Sequence, residues 1–312
     1  MPKTAILFTG QGAQSPGMGK DIAAACAPAA EVFDRANEVV GYDLRTLCFE
    51  GPAERLEQTD IQQPAIFTTS VAIWRAMNEG RDLPEPPVAM AGLSLGEYTA
   101  LHAAGALSFE DALRLVKRRG ELMQAAAASV AGGMVSALGL DTQQVEDICR
   151  QAGSAGMIRP ANFNSPGQIV LSGTKAACEA VVPLIEQAGG RAIPLKVAGA
   201  FHSPIMRPAA EGLAEVLAKM PIQPPPMPVI ANVNCQPHGD PATIRACLTA
   251  QLTEAVLWQA SIEKMLADGV ARFIEVGPGR VLTGLLKKIS RRTPVVNVST
   301  ANDLASLQTV LK

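Results

Sequence analysis

Ser94 stands in the run Gly92-Leu93-Ser94-Leu95-Gly96, after the apolar stretch Val88-Ala89-Met90-Ala91 and ahead of Glu97-Tyr98. A serine on a sharp strand-to-helix turn holds its hydroxyl outward, and flanking glycines let the chain take that strained path. The helix start would also aim backbone N–H groups and a positive dipole end at an oxyanion forming beside the serine. The five-residue pattern alone fits an ordinary turn as well; the strand before it and the helix after it favour a nucleophile. Such a serine needs a base, and the chain has three histidines, His102, His202 and His238. His102 falls on the helix that follows Ser94 and points away from the turn, so it reads as a packed or surface residue. His238, in Gln236-Pro237-His238-Gly239-Asp240, reads as solvated. His202 follows Gly199-Ala200-Phe201 beyond a predicted strand, where a loop returns to the carboxyl edge of a sheet. It is the expected base.

Positioning these groups requires a sheet with helices on it. Short β-rich runs at 5–8, 88–91, 168–172, 191–197, 228–232 and 273–276 alternate with helical stretches rich in Ala, Leu and charge, which predicts an α/β fold with a mostly parallel sheet. Residues 109–128 carry apolar side chains at helical spacing, with Lys117, Arg118 and Arg119 near the middle. After Gly132-Gly133 a strand, helix, strand, strand, helix, strand series begins, with a helix near 142–152, in the order of a ferredoxin-like unit. The expected organisation is a large subdomain of residues 1–129 and 198–312 interrupted by a small ferredoxin-like subdomain, 130–197. The prolines at 221, 224, 225, 226 and 228 form a rigid connector into a core strand.

Composition narrows the function classes. The 312 residues are 48% hydrophobic and 18% charged, enough for a large core. Twenty-seven basic against 29 acidic residues leave a net charge of −2, and no basic stripe interleaved with aromatics marks a nucleic-acid partner. No apolar stretch reaches the roughly 18 residues that suggest a membrane span, so no membrane association is expected. The six cysteines are scattered without CxxC pairs, which favours free thiols over disulfides or zinc, a cytoplasmic location, and no metal.

The chain resembles a known family along its whole length. Gly10-Gln11-Gly12-Ala13-Gln14, Gly92-Leu93-Ser94-Leu95-Gly96, Lys117-Arg118-Arg119-Gly120, Asn162-Phe163-Asn164-Ser165-Pro166-Gly167-Gln168, Gly199-Ala200-Phe201-His202 and Val276-Gly277-Pro278-Gly279 occur in the order seen in malonyl-CoA:acyl carrier protein transacylases. The resemblance implies a hydrolase-like α/β core with a ferredoxin-like insert. It also implies transfer of malonyl from malonyl-CoA to the phosphopantetheine thiol of an acyl carrier protein, with ping-pong kinetics, no bound cofactor, and a monomeric enzyme of fatty acid or polyketide synthesis. It assigns Ser94 as nucleophile, His202 as base, and the backbone carbonyl of Gln251 as the group orienting His202. The N–H groups of Gln11 and Leu95 become the oxyanion hole, and Arg119, Phe201 and Asn162 contact substrate, Arg119 by gripping the malonyl carboxylate. Leu95 and Phe201 match malonyl rather than methylmalonyl users. Leu93 and Gly199 depart from residues common in the family, which implies a more apolar or roomier pocket. An acyl hydrolase clearing carrier proteins would use the same Ser and His but has no need of Arg119, and a non-catalytic docking module would need neither.

Overall fold

The structure, a computed structural model, describes residues 2–79, 83 and 85–311. β1 (Thr4–Phe8) is apolar without alternation because both its faces are buried: Ile6 and Phe8 enter one apolar cluster, Ala5 and Leu7 another. It is the centre of a five-stranded parallel sheet, ordered β7-β2-β1-β8-β9, with β2 at Ala89–Gly92, β7 at Val229–Ile230, β8 at Arg272–Val276 and β9 at Val295–Val298. Ile6 sits in register between Met90 and Ile274. Helices cover both faces, and β1, β2 and β7 deliver Gln11, Ser94 and Asn232 to one carboxyl edge, where ligands bind in open α/β sheets.

A second sheet, antiparallel and ordered β4-β5-β3-β6, is built from β3 (Gly132–Leu138), β4 (Ile158–Ser165), β5 (Gln168–Thr174) and β6 (Arg191–Pro194). The helices Thr142–Ala152 and Lys175–Gln187 join its strands in a βαββαβ series and share its core through Val145, Ile148, Val181 and Ile185. The molecule is thus a mixed α/β protein with a parallel sheet and a separate antiparallel one.

Three expectations need adjustment. β6 ends at Pro194, not 197; Leu195 keeps one bond to the Met134 carbonyl of the second sheet, and Leu195 and Val197 line the cleft between the two units. β7 has two residues because Ala231 turns back to bond Gln236, freeing Asn232 for the turn that carries Ser94. β9, an edge strand absent from the expected set, is too short and too half-buried for its apolar run to stand out. All six cysteines are free. No helix among the described residues is long and apolar enough to cross a membrane.

Candidate active site

The turn after β2 is strained at Ser94 itself, whose φ of 51° and ψ of −103° lie outside the usual regions for an L-residue. The flanking glycines, expected to supply conformational freedom, instead supply space. A Cβ on Gly92 would lie 1.9 Å from the carbonyl carbon of Gly96, and one on Gly96 would lie 2.2 Å from the Phe8 carbonyl oxygen. Asn232 holds the turn from the side: its Oδ1 accepts from the Ser94 N–H at 2.7 Å and its Nδ2 donates to the Gly92 carbonyl at 2.8 Å. The helix Leu95–Ala103 starts at the next residue, leaving its first N–H groups without helical partners.

His202 reaches this turn from 108 positions further along the chain. Its Nε2 lies 2.9 Å from Ser94 Oγ, and its Nδ1 donates to the Gln251 carbonyl at 2.6 Å. That second bond places the proton on Nδ1 and turns the Nε2 lone pair to the serine. His202 also has a positive φ, 56°, so both partners of the contact sit on constrained backbone. Burial, followed by the nearby Arg119 charge, lowers the His202 pKa to about 4 and keeps the ring neutral near pH 7.

Arg119 lies on the buried stripe of the helix Phe109–Ser129, between Val116 and Met123 at helical spacing, whereas Arg118 turns outward to pair with Glu121. Its guanidinium is 0% exposed. Nη2 donates to Ser94 Oγ at 3.0 Å and to Gln251 Oε1 at 2.9 Å, Nη1 donates to Gln63 Oε1 at 2.7 Å, and the group lies over the Tyr98 ring. Nε has no hydrogen-bond partner, and burial lowers the Arg119 pKa against the opposing effects of Tyr98 and the nearby Glu97 carboxylate. Gly120 allows the close helix contact: a Cβ there would sit 2.7 Å from the Thr59 carbonyl oxygen.

Ser94 and His202 open on a cavity of about 150 Å³. Gln11, Leu93 and Phe201 line its large-sheet side, and Met134, Asn162 and Val170 its small-sheet side. Gln11 follows β1, and its side chain donates to Gln62 at 2.5 Å. Asn162 lies in β4 rather than in a turn, at a register shift where the strand bridges to Val256. Leu93 makes one wall apolar, as expected. Gly199 does not enlarge the pocket: a Cβ there would meet the Ala127 Cβ at 2.5 Å, so the position is filled from the facing helix.

The structure adds residues that the sequence did not single out. Gln63 holds Arg119, and Asn232 holds the serine turn. His238, expected to be solvated, is 6% exposed and lies 2.7 Å from the fully buried Glu97. His102 stays apart, with Nδ1 on the Leu107 carbonyl. An arginine in phase with a helix's apolar residues was a readable signal for Arg119; Glu97 and His238 meet across 141 positions and carry no local pattern. Among the described residues no cluster of three or more His, Cys, Asp or Glu could hold a metal ion.

This serine–histidine–arginine arrangement can form and break acyl esters. The acyl transferase domain model matches residues 6–309. The chain is 43% identical over 311 residues to the malonyl CoA-acyl carrier protein transacylase of Haemophilus influenzae, covering 99% of this chain and 98% of that protein. The crystal structure of the transacylase from Clostridium perfringens superposes with a TM-score of 0.94 at 42% identity, over 99% of this chain and 97% of that one. A malonyl-transacylase solved in complex with a type II polyketide synthase acyl-carrier protein matches with a TM-score of 0.94 at 40% identity, over 97% of this chain and 98% of that one. The chain is an acyltransferase and belongs to the malonyl CoA-acyl carrier protein transacylase family of acyl transferase domains.

Proposed function

We propose that the protein transfers malonyl from malonyl-CoA to the phosphopantetheine thiol of an acyl carrier protein, by a ping-pong route through a malonyl ester on Ser94. The observation that carries this reading is the buried Arg119 guanidinium, 3.0 Å from the Ser94 oxygen and in no direct ion pair among the described residues. In a malonyl ester the free carboxylate carbon is about 2.5 Å from the ester carbonyl carbon, two ordinary C–C bonds away. A short diacid therefore places its charge beside Arg119, and a planar guanidinium can grip both carboxylate oxygens.

In the first half-reaction Ser94 Oγ attacks the thioester carbonyl while its proton passes to His202 Nε2. The imidazolium keeps its Nδ1–H on the Gln251 carbonyl. The N–H groups of Leu95 and Gln11 stabilise the oxyanion. Collapse breaks the C–S bond, and His202 returns the proton to the coenzyme A sulfur. The pantetheine thiol then gives its proton to His202 and attacks the ester, and Ser94 leaves with that proton. Phe201 and Leu93 supply the apolar wall that keeps water from the ester, and Asn162 contacts the acyl group from the opposite side.

Labelled malonyl-CoA should load Ser94 covalently, and Ser94→Ala should abolish loading. Arg119→Ala should cut malonyl loading by about 30-fold or more, the cost of removing one partner of a buried charge pair, while acetyl loading falls much less. Equal loss of both would remove Arg119 from the carboxylate role. Release of free malonate without transfer to a carrier protein would indicate a hydrolase.

A further inference from the structure

Glu97 lies in the first turn of the helix that follows the nucleophile, where a negative charge meets the positive end of the helix dipole. It is fully buried; its backbone N–H donates to the Ser94 carbonyl at 3.1 Å, and its side chain makes no hydrogen bond to Ser94 or His202. Its Oε2 accepts from Gln251 Nε2 at 2.5 Å and from the Asn232 N–H at 3.2 Å; its Oε1 faces His238 Nε2 at 2.7 Å. Those two partners hold the rest of the site. Asn232 accepts the Ser94 N–H. Gln251 offers its backbone carbonyl to His202, its Oε1 to Arg119, and its Nε2 to the Ser94 carbonyl at 3.0 Å. One carboxylate thus reaches the nucleophile, the base and the arginine through two intermediates.

A buried carboxylate needs hydrogen-bond donors to be tolerated. His238 supplies one from the loop after β7, tied to that strand through its own N–H on the Val229 carbonyl. Burial opposes a charged ring there, but the side chains of Cys247 and Glu97 outweigh it and push His238 up to about 9.

We infer that Glu97 and His238 are positioning residues for this acyltransferase: the buried pair fixes Gln251 and Asn232, and through them the distance and alignment of Ser94 and His202. The inference rests on the proposed Ser94–His202 chemistry but not on the choice of malonyl as acyl group. Misplacing reacting groups by about 1 Å can cost about 100-fold. Glu97→Leu keeps the volume and removes both acceptors.

The test measures the rate at which phenylmethylsulfonyl fluoride labels Ser94, per folded molecule, with folding checked by circular dichroism. This probe needs an activated serine but no malonyl specificity. Glu97→Leu should slow labelling about 100-fold and His238→Ala about tenfold, whereas His238→Gln, whose amide still donates to Glu97, should stay within threefold of the parent protein. Labelling by folded Glu97→Leu or His238→Ala at the parent rate overturns the inference, as does His238→Gln as slow as His238→Ala. Should Glu97→Leu not fold, the His238 pair decides. Failure of the parent protein to label would overturn the Ser94–His202 reading and this one together. Normal labelling without malonyl loading would overturn only the acyl assignment.

Discussion

Burial first and Arg119 second lower the His202 pKa to about 4, which suits the ring to the base role proposed for it. A free histidine near 6.5 would be largely protonated at pH 5 and unable to accept the serine proton; this one stays competent. The pH profile of Ser94 sulfonylation should therefore fall on an acid limb centred near 4 rather than 6.5, and Arg119→Ala should move that limb upward by removing a positive charge. An acid limb near 6.5 in both proteins would contradict the assigned environment. That Ser94 and His202 would meet was readable from order and context, because a glycine-flanked serine turn and a loop histidine leave local marks. The side chain of Gln251 leaves none: it accepts from Arg119 and donates to Ser94 and Glu97, all remote in sequence. Strain at Ser94 gives a second test. Ser94→Gly should abolish acylation yet raise stability by about 1 kcal/mol in chemical denaturation, since glycine adopts a φ of 51° freely.

At the level of elements, the serine turn is a three-layer contact in which Gly92 packs on Gly96 and Gly96 packs on the backbone of β1. Gly96→Ala would place a methyl 2.2 Å from the Phe8 carbonyl oxygen, and backbone cannot yield as a flexible side chain would. It should lower stability by about 1–3 kcal/mol and slow Ser94 labelling. Gly153→Ala, where nothing lies within 4 Å and φ is helical, should leave both unchanged. Equal effects from the two substitutions would refute the close-packing account. The glycines of the turn were readable as necessary, but for a different reason from the one that operates. A sequence pattern records that a small residue is required; whether φ or proximity requires it depends on a strand packed against the turn from the other end of the register. The same limit explains β6, where an apolar run to Val197 reads as strand although its last residues serve the cleft wall.

Across the whole molecule, two buried histidines bias stability in opposite pH directions. His202 titrates at about 4 in the folded protein and near 6.5 when unfolded. Below 6.5 the unfolded chain binds the extra proton, so stability is full above 6.5 and is lost as pH falls through about 4. His238 titrates at about 9 when folded. Above 6.5 the folded protein holds the extra proton, so this contribution is full below 6.5 and is lost as pH rises through about 9. Each displacement amounts to at most about 3 kcal/mol at its extreme. The two ends of the profile can be separated, because His202 and His238 lie on opposite sides of Gln251 and Glu97 and respond to different substitutions. Urea denaturation between pH 6.5 and 9.5 should show stability declining in the parent protein and declining less in His238→Gln, which has no proton to lose there. The acid side, between pH 6.5 and 4, should keep its slope in that variant. An unchanged alkaline slope in His238→Gln would show that the Glu97 pair does not carry a proton into the fold.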